Sequence, residues 1–138
     1  MYETPTLSYT DALRVLDAIR RRLEDPHRGA AIAVVDAHGE LVAFLRTDGC
    51  PLPSIQNAIN KAFTAARERK PSGAIGQASR NDGFPMTNFG DLRYSGWGGG
   101  VPLLWRGAVV GAVGVSGLPQ VEDAELAAWG AQALGGPE

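Results

Sequence analysis

The feature that most constrains the fold is an uninterrupted run of small apolar residues at positions 30–35. The turn-forming sequence Ala37-His38-Gly39-Glu40 separates this run from a second apolar run at positions 41–47. Two short apolar runs joined by a tight turn predict a β-hairpin. Because the first run contains no polar residue, we expect its strand to be buried on both faces of a sheet.

The rest of the chain alternates helical and strand patterns around this hairpin. The predicted elements are a helix that begins after Ser8 and stops before Asp25 and Pro26, the strands at 30–35 and 41–47, helices at 54–69 and 72–79, strands at 101–105 and 108–116, and a helix at 121–134 that Gly135 ends. Two hairpins between helices imply an antiparallel sheet with helices packed against it. The sequence therefore predicts an α+β fold in the order α-β-β-α-α-β-β-α.

Length, charge and cysteine content narrow the class of protein. The 138 residues have the size of one domain, and we expect 1–138 to form a single unit. The net charge of −2 gives no electrostatic footprint for nucleic acid, and no apolar run reaches the roughly 20 residues that a membrane span requires. The N-terminus has no secretory signal pattern, and the single cysteine, Cys50, cannot form an internal disulfide. We therefore expect a cytoplasmic protein.

Residues 82–100 lack a regular period and are rich in glycine, polar and aromatic residues. A long unpatterned stretch inside a compact domain is more often functional than idle. Its side chains that suit ligand binding or proton transfer are Asp91, Arg93, Tyr94 and Trp97. The following Gly98, Gly99 and Gly100 have no Cβ, so the backbone there can approach a ligand closely. We expect this loop to form an active or binding site, with Gly99 and Gly100 against the ligand.

Strand alternation places Arg46 and Asp48 on the same side of the second predicted strand, together with Val42 and Phe44. One interpretation is an exposed ion pair, which contributes at most about 1 kcal/mol to stability. The other is a ligand site in which Asp48 orients the Arg46 guanidinium to receive a carboxylate with two hydrogen bonds.

The helix predicted at 54–69 has an unusual polar face, formed by Asn57, Asn60, Lys61 and Thr64 opposite its apolar stripe. Solvated helix faces usually carry more charge than this, so the face is expected to contact a loop, a ligand or another subunit. Lys61 is its electrostatic centre. An ordinary surface lysine is the alternative.

The two histidines, His27 and His38, do not show the spacing of a zinc site, so we expect no bound metal ion. His38 lies in the predicted hairpin turn. It is the better imidazole candidate for ligation of a haem iron or for proton transfer, provided that the turn reaches a neighbouring subunit.

Several blocks spread over nearly the whole chain match one known family. They are residues 31–39 leading into 41–44, Arg46-Thr47-Asp48-Gly49, Asn60-Lys61-Ala62-Phe63-Thr64-Ala65, Gly98-Gly99-Gly100-Val101-Pro102 and residues 107–117. On these blocks the chain resembles the GlcG/HbpS-type haem-binding or haem-degrading proteins, which include the C-terminal domain of PduO-type adenosyltransferases. The resemblance implies a profilin-like fold, assembly into symmetric homo-oligomers, and binding of haem or a corrinoid.

Three functions follow as hypotheses. In the first, an oligomer binds haem or another planar tetrapyrrole, with His38 as a candidate iron ligand. In the second, the chain is a cofactor-independent isomerase, tautomerase or lyase, in which Arg46 and Arg93 bind a small anionic or carbonyl metabolite. Lys61, Asp91 or Tyr94 would then move a proton, provided that burial shifts its pKa toward neutrality. In the third, the chain is a scaffold or sensor module.

Overall fold

The computed structural model describes residues 1–23 and 28–134, and it confirms the predicted order of elements. The helices are α1 (Tyr9–Arg22), α2 (Pro53–Glu68), α3 (Ser72–Asp82) and α4 (Gln120–Gln132), and the strands are β1 (Ala31–Asp36), β2 (Leu41–Arg46), β3 (Gly100–Trp105) and β4 (Ala108–Ser116). A single 3-10 turn, Met86–Phe89, lies in the loop before β3. The predicted stop signals at Asp25, Pro26 and Gly135, and also His27, lie outside the described residues.

The four strands form one antiparallel sheet in the order β2-β1-β4-β3. The predicted burial of the first strand is confirmed, because β1 is central and its residues from Ala31 to Val35 are fully buried. The predicted alternation of side chains between the two faces of the sheet is wrong at Val42 of β2. A β-bulge opposite Val34 and Val35 shifts the register, and Val42 packs on the same side as Ala43 and Leu45.

Helices cover both faces of the sheet. On one face, α1 packs Val15 and Ile19 into an apolar cluster with Ile32 and Val34 of β1, and α4 adds Ala127 to the same cluster. On the other face, α2 packs alanines against Ala31 and Ala33, so this layer is built from small side chains. The small side chains bring the α2 backbone close to the sheet, which places α2 side chains near the strand ends.

The four polar residues expected on one face of α2 differ in burial. Lys61 is 2% exposed and Thr64 is fully buried, whereas Asn57 and Asn60 are half-buried. The expectation that this face contacts a loop is confirmed at Thr64, which bonds to Ser95 of the loop before β3, and Lys61 is not an ordinary surface lysine. Tertiary hydrogen bonds satisfy both buried polar groups, and these bonds could not be read from helical periodicity.

Hydroxyl groups on α2 and α3 hold the loop between α3 and β3 in place. Thr64 accepts a hydrogen bond from the Ser95 N–H at 2.8 Å. Ser72 Oγ donates to the Trp97 carbonyl at 2.6 Å and accepts from the Gly100 N–H at 2.9 Å. The aperiodic segment of the sequence is thus fixed by side chains from neighbouring helices.

Candidate functional site

The most buried charged groups in the described chain are Lys61 of α2 and Asp123 of α4, and they bond to each other. Lys61 Nζ lies 3.2 Å from Asp123 Oδ2 and donates to the Val115 carbonyl at 3.0 Å. The other carboxylate oxygen of Asp123 accepts the Leu118 N–H at 3.1 Å. Two helices and the end of β4 therefore position the pair.

The protein environment shifts the pKa of both groups toward neutrality. Burial lowers the pKa of the Lys61 ammonium, and the negative charge of Asp123 opposes that shift. Burial raises the pKa of the Asp123 carboxyl, and Lys61 opposes that shift in turn. Desolvation is the largest cause for both groups, so the neutral amine and the neutral carboxylic acid are favoured relative to their states in water.

A surface depression of about 310 Å³ opens above this pair, and we call it the lysine depression. Its lining is mostly polar and is formed by Ser54, Asn57, Lys61, Trp97, Ser116, Gly117, Leu118, Gln120 and Asp123. Lys61 and Asp123 are the only charged residues in this lining, and their formal charges cancel. The depression is therefore suited to a small uncharged polar molecule.

Glycines at the start of β3 make room for the lysine. A Cβ added at Gly99 would lie 2.9 Å from Lys61 Nζ, and one at Gly100 would lie 2.1 Å from the Lys61 carbonyl oxygen. The close approach at Gly99 is therefore to the Val115 carbonyl of β4 and to the Lys61 side chain, and the close approach at Gly100 is to the α2 backbone. Gly99 thus leaves room for the Lys61 side chain, and Gly100 leaves room for the α2 backbone that carries it.

A second cluster surrounds the buried ring of Phe63 at the turn between β1 and β2, and we call it the hairpin-tip cluster: His38, Glu40, Phe63, Arg67 and Arg93. The guanidinium carbons of Arg93 and Arg67 lie 3.9 and 4.8 Å from the centre of the Phe63 ring. Arg67 donates to the His38 carbonyl, and Arg93 lies 3.3 Å from a Glu40 carboxylate oxygen. Two guanidinium groups thus flank the hairpin turn.

The turn itself is shaped by Asp36, whose carboxylate accepts the N–H groups of His38 at 2.8 Å and Glu40 at 3.1 Å. Gly39 adopts a φ of +91°, and a Cβ there would lie 2.9 Å from the Phe63 ring. This packing holds the turn against α2 and leaves the His38 side chain exposed.

Proton transfer by Asp91 or Tyr94 would need a pKa shifted toward neutrality, and neither side chain has one. Asp91 holds the Arg93 guanidinium through two of its nitrogens, and these hydrogen bonds keep the pKa of the Asp91 carboxyl below its usual value. Tyr94 donates to Glu68 at 2.8 Å, and burial together with that bond raises its pKa to about 12. Both shifts lead away from neutrality, so the two groups are better suited to positioning Arg93 and the loop.

Arg46 and Asp48 lie apart from both clusters, and both are exposed. Within the described residues no ion pair joins them. Arg46 pairs with Ala31 across the sheet and Ala31 pairs with Ser116, which places Arg46 about 10 Å, or two strand spacings, from the lysine depression. The structure therefore does not bring Arg46, Lys61 and Tyr94 together in one pocket.

Sequence reasoning did not single out Asp123, Phe63 as a ring platform, or Arg67. A signal for Asp123 was present, since it shares a helix face with Ala127 and Gly130 at spacings of four and seven residues, and all three are buried. An acidic residue on an apolar helix face indicates a buried partner. The helix dipole also favours an acidic residue in the first turn of any helix. Asp123 therefore has an ordinary explanation that hides its buried partner.

The described part of the chain has features that bear on metal binding and membrane insertion. No group of three or more His, Cys, Asp or Glu side chains there could hold a bare metal ion. None of the helices within residues 1–23 and 28–134 is long and apolar enough to cross a bilayer.

Comparison with known proteins places this chain in a family. The sequence model described as "Haem degrading protein HbpS-like" matches residues 7–132. An uncharacterized 15.0 kDa protein from the dhaT-dhaS intergenic region of Citrobacter freundii is 30% identical over 126 residues, which cover 88% of this chain and 87% of that protein.

Solved structures share the fold over almost the whole chain. A double mutant of HbpS from Streptomyces reticuli superposes with a TM-score of 0.88 at 28% identity, covering 99% of this chain and 92% of the other. A PduOC:heme complex superposes with a TM-score of 0.84 at 23% identity, covering 93% and 94%. These matches confirm the resemblance read from the sequence blocks, and the chain belongs to the HbpS-like family.

Proposed function

We propose that this protein binds haem, or a closely related planar tetrapyrrole, at the hairpin-tip cluster. The observation that carries the proposal is the match of residues 7–132 to a family described as haem-degrading. The PduOC:heme complex has the same fold, and the presence of haem in that complex adds support. Bound haem would supply a redox-active iron, and the chain's own residues would hold and orient it.

The chemistry of the hairpin-tip cluster fits such a ligand. A tetrapyrrole supplies four nitrogen ligands itself, so the protein needs only one or two axial ligands rather than a cluster of its own. His38 offers an exposed imidazole at the turn, and imidazole is a common ligand of haem iron. We therefore assign His38 as the candidate iron ligand.

Two guanidinium groups beside His38 suit the carboxylates of a haem. Guanidinium groups bind carboxylates through paired hydrogen bonds. Arg67 reaches the backbone of His38 itself, and Arg93 is held in place by Asp91 and Glu40. Arg67 has the fewer carboxylate partners of the two, so we assign it the larger part in binding the ligand.

A second copy of the chain would complete the site. Four surface depressions in the described part of the chain, the lysine depression among them, are open to solvent. Leu41 follows the hairpin turn and is 48% exposed, and it lies on an edge strand of the sheet. Edge strands with exposed apolar residues favour association. We therefore propose a symmetric homo-oligomer in which a neighbouring copy covers the outer face of the ligand.

A haemin titration followed by Soret absorbance tests this function. We expect saturable binding by the wild type and an affinity about five- to tenfold weaker for Arg67→Gln, since one charged pair is lost. Arg80→Gln is the matched control, because Arg80 is an exposed arginine on α3 that bonds to Gln77. Non-saturating absorbance of the wild type, or equal losses in both variants, would contradict the proposal.

A further inference from the structure

The Lys61–Asp123 pair has no part in the proposed haem site, because Lys61 and Arg67 are six residues, or roughly 9 Å, apart along α2. Both side chains of the pair are only 3% exposed, yet both line an open depression. A buried ion pair with a purely structural role needs no opening to the surface. This arrangement indicates that a small molecule reaches the pair from outside.

The two groups can share one proton in two ways. In one form Lys61 is an ammonium and Asp123 a carboxylate; in the other, Lys61 is a free amine and Asp123 a carboxylic acid. Burial disfavours the charged form of each group, so it favours the second form relative to water. A free lysine amine is a nucleophile toward carbonyl carbon, as in enzymes that form Schiff bases.

The lining of the lysine depression selects the type of carbonyl compound. Its remaining side chains are hydroxyl, amide, indole and apolar groups, and none of them carries a charge to pair with an ionised substrate. Ser54, Asn57 and Gln120 can hydrogen-bond the hydroxyl groups of a ligand, and Trp97 forms a wall. A volume of about 310 Å³ limits the ligand to a small molecule.

We propose that Lys61 forms an imine with a small uncharged hydroxyaldehyde or hydroxyketone in the lysine depression, and that Asp123 transfers the protons of this step. The lone pair of Nζ forms a bond to the carbonyl carbon, and the C=O π electrons move to oxygen, which takes the Asp123 proton. The carbinolamine nitrogen returns one proton to the Asp123 carboxylate. Asp123 then protonates the hydroxyl group, which leaves as water while the nitrogen lone pair forms the C=N bond, so a protonated imine faces the Asp123 carboxylate and no oxidant or reductant is needed.

The sequence provides an internal control, since Lys61 and Lys70 are its only lysines and Lys70 is exposed. The native protein is treated with glycolaldehyde and sodium cyanoborohydride at pH 7, and mass spectrometry measures the reduced adduct on each lysine. We expect Lys61 to be modified at least about tenfold faster than Lys70, although Lys61 is buried. In urea-unfolded protein the two rates should become similar, because the environment of Lys61 is lost.

Two further comparisons complete the experiment. Glyoxylate, which carries a carboxylate, should show a Lys61 to Lys70 ratio at least about tenfold below that of glycolaldehyde. In the Asp123→Asn variant, whose folding is checked by circular dichroism, glycolaldehyde should modify Lys61 about tenfold more slowly than in the wild type. A native ratio for glycolaldehyde that is no higher than the unfolded ratio would overturn the proposal, and that result does not require any variant to fold.

Discussion

Lys61 and Asp123 depend on each other, because each gives up hydration that only the other and nearby backbone groups replace. Removing one partner of such a pair leaves the other buried without compensation, which is destabilising by about 3–5 kcal/mol, whereas replacing both is often near neutral. The pair therefore acts as a unit in stability as well as in its proposed chemistry.

We predict that Asp123→Asn lowers the free energy of unfolding by about 3 kcal/mol. Adding Lys61→Met in the same chain should recover a large part of this loss, because the uncompensated ammonium is removed. Urea unfolding of the wild type, both single variants and the double variant gives the coupling energy. Losses that simply add in the double variant would show that the two side chains act independently.

The pair also predicts a change in pH dependence. In the wild type the folded and unfolded states each hold one proton on the pair near neutral pH, so the pair contributes no slope to stability. In Asp123→Asn the carboxyl group is gone, and burial still lowers the pKa of Lys61 in the folded state. Below pH 10.5 the unfolded chain therefore holds more protons on Lys61 than the folded chain does. Stability of this variant should therefore rise with pH over the range that lies between the lowered pKa of folded Lys61 and 10.5, by up to about 1.4 kcal/mol per unit. A flat or falling profile from urea unfolding would contradict this account.

At the scale of elements, the contact between α2 and β4 positions Lys61. A Cβ added at Gly114 would lie 2.2 Å from the Ala58 carbonyl oxygen and 2.7 Å from the Ala62 nitrogen, both backbone atoms of α2. Backbone of a packed helix cannot move aside without a shift of the whole element. The glycine in β4 thus sets the distance of α2 from the sheet.

We predict that Gly114→Ala lowers the free energy of unfolding by about 3 kcal/mol, because it overpacks this contact. Gly49→Ala is the control, since Gly49 has a φ of +82° but no atom within 4 Å of the added Cβ. That change should lower stability by only about 1 kcal/mol through its left-handed backbone. Urea unfolding compares the two, and equal losses would mean that the α2–β4 contact tolerates a methyl group.

Local pattern was sufficient to predict the helices, the strands and their order, because apolar periodicity and turn residues are local signals. The bulge at Val42 and the burial of Thr64 were not predictable in this way. Both arise from partners distant in sequence, namely the register with β1 and the Ser95 N–H of the loop. The sequence predicted Lys61 and Arg93 as residues of one site, and their separation into two clusters depends on tertiary packing.

For the whole molecule, the family match and the geometry favour a protein with two separate sites along α2. The hairpin-tip cluster offers an exposed imidazole with guanidinium groups and is proposed to hold haem. The lysine depression is uncharged overall and is proposed to hold a small carbonyl compound. Because different residues form the two sites, loss of function at one should leave ligand binding at the other intact.

The measurement that tests the central claim most directly is the spectroscopic signature of iron ligation in the haemin-loaded protein. Electron paramagnetic resonance and visible absorbance should show imidazole-ligated ferric haem in the wild type. His38→Ala should lose that signature, and added free imidazole should restore it, because the exposed turn leaves room for the exogenous ligand. An unchanged signature in His38→Ala would contradict the assignment of His38, and the absence of any specific haem signal in the wild type would contradict haem binding by this protein.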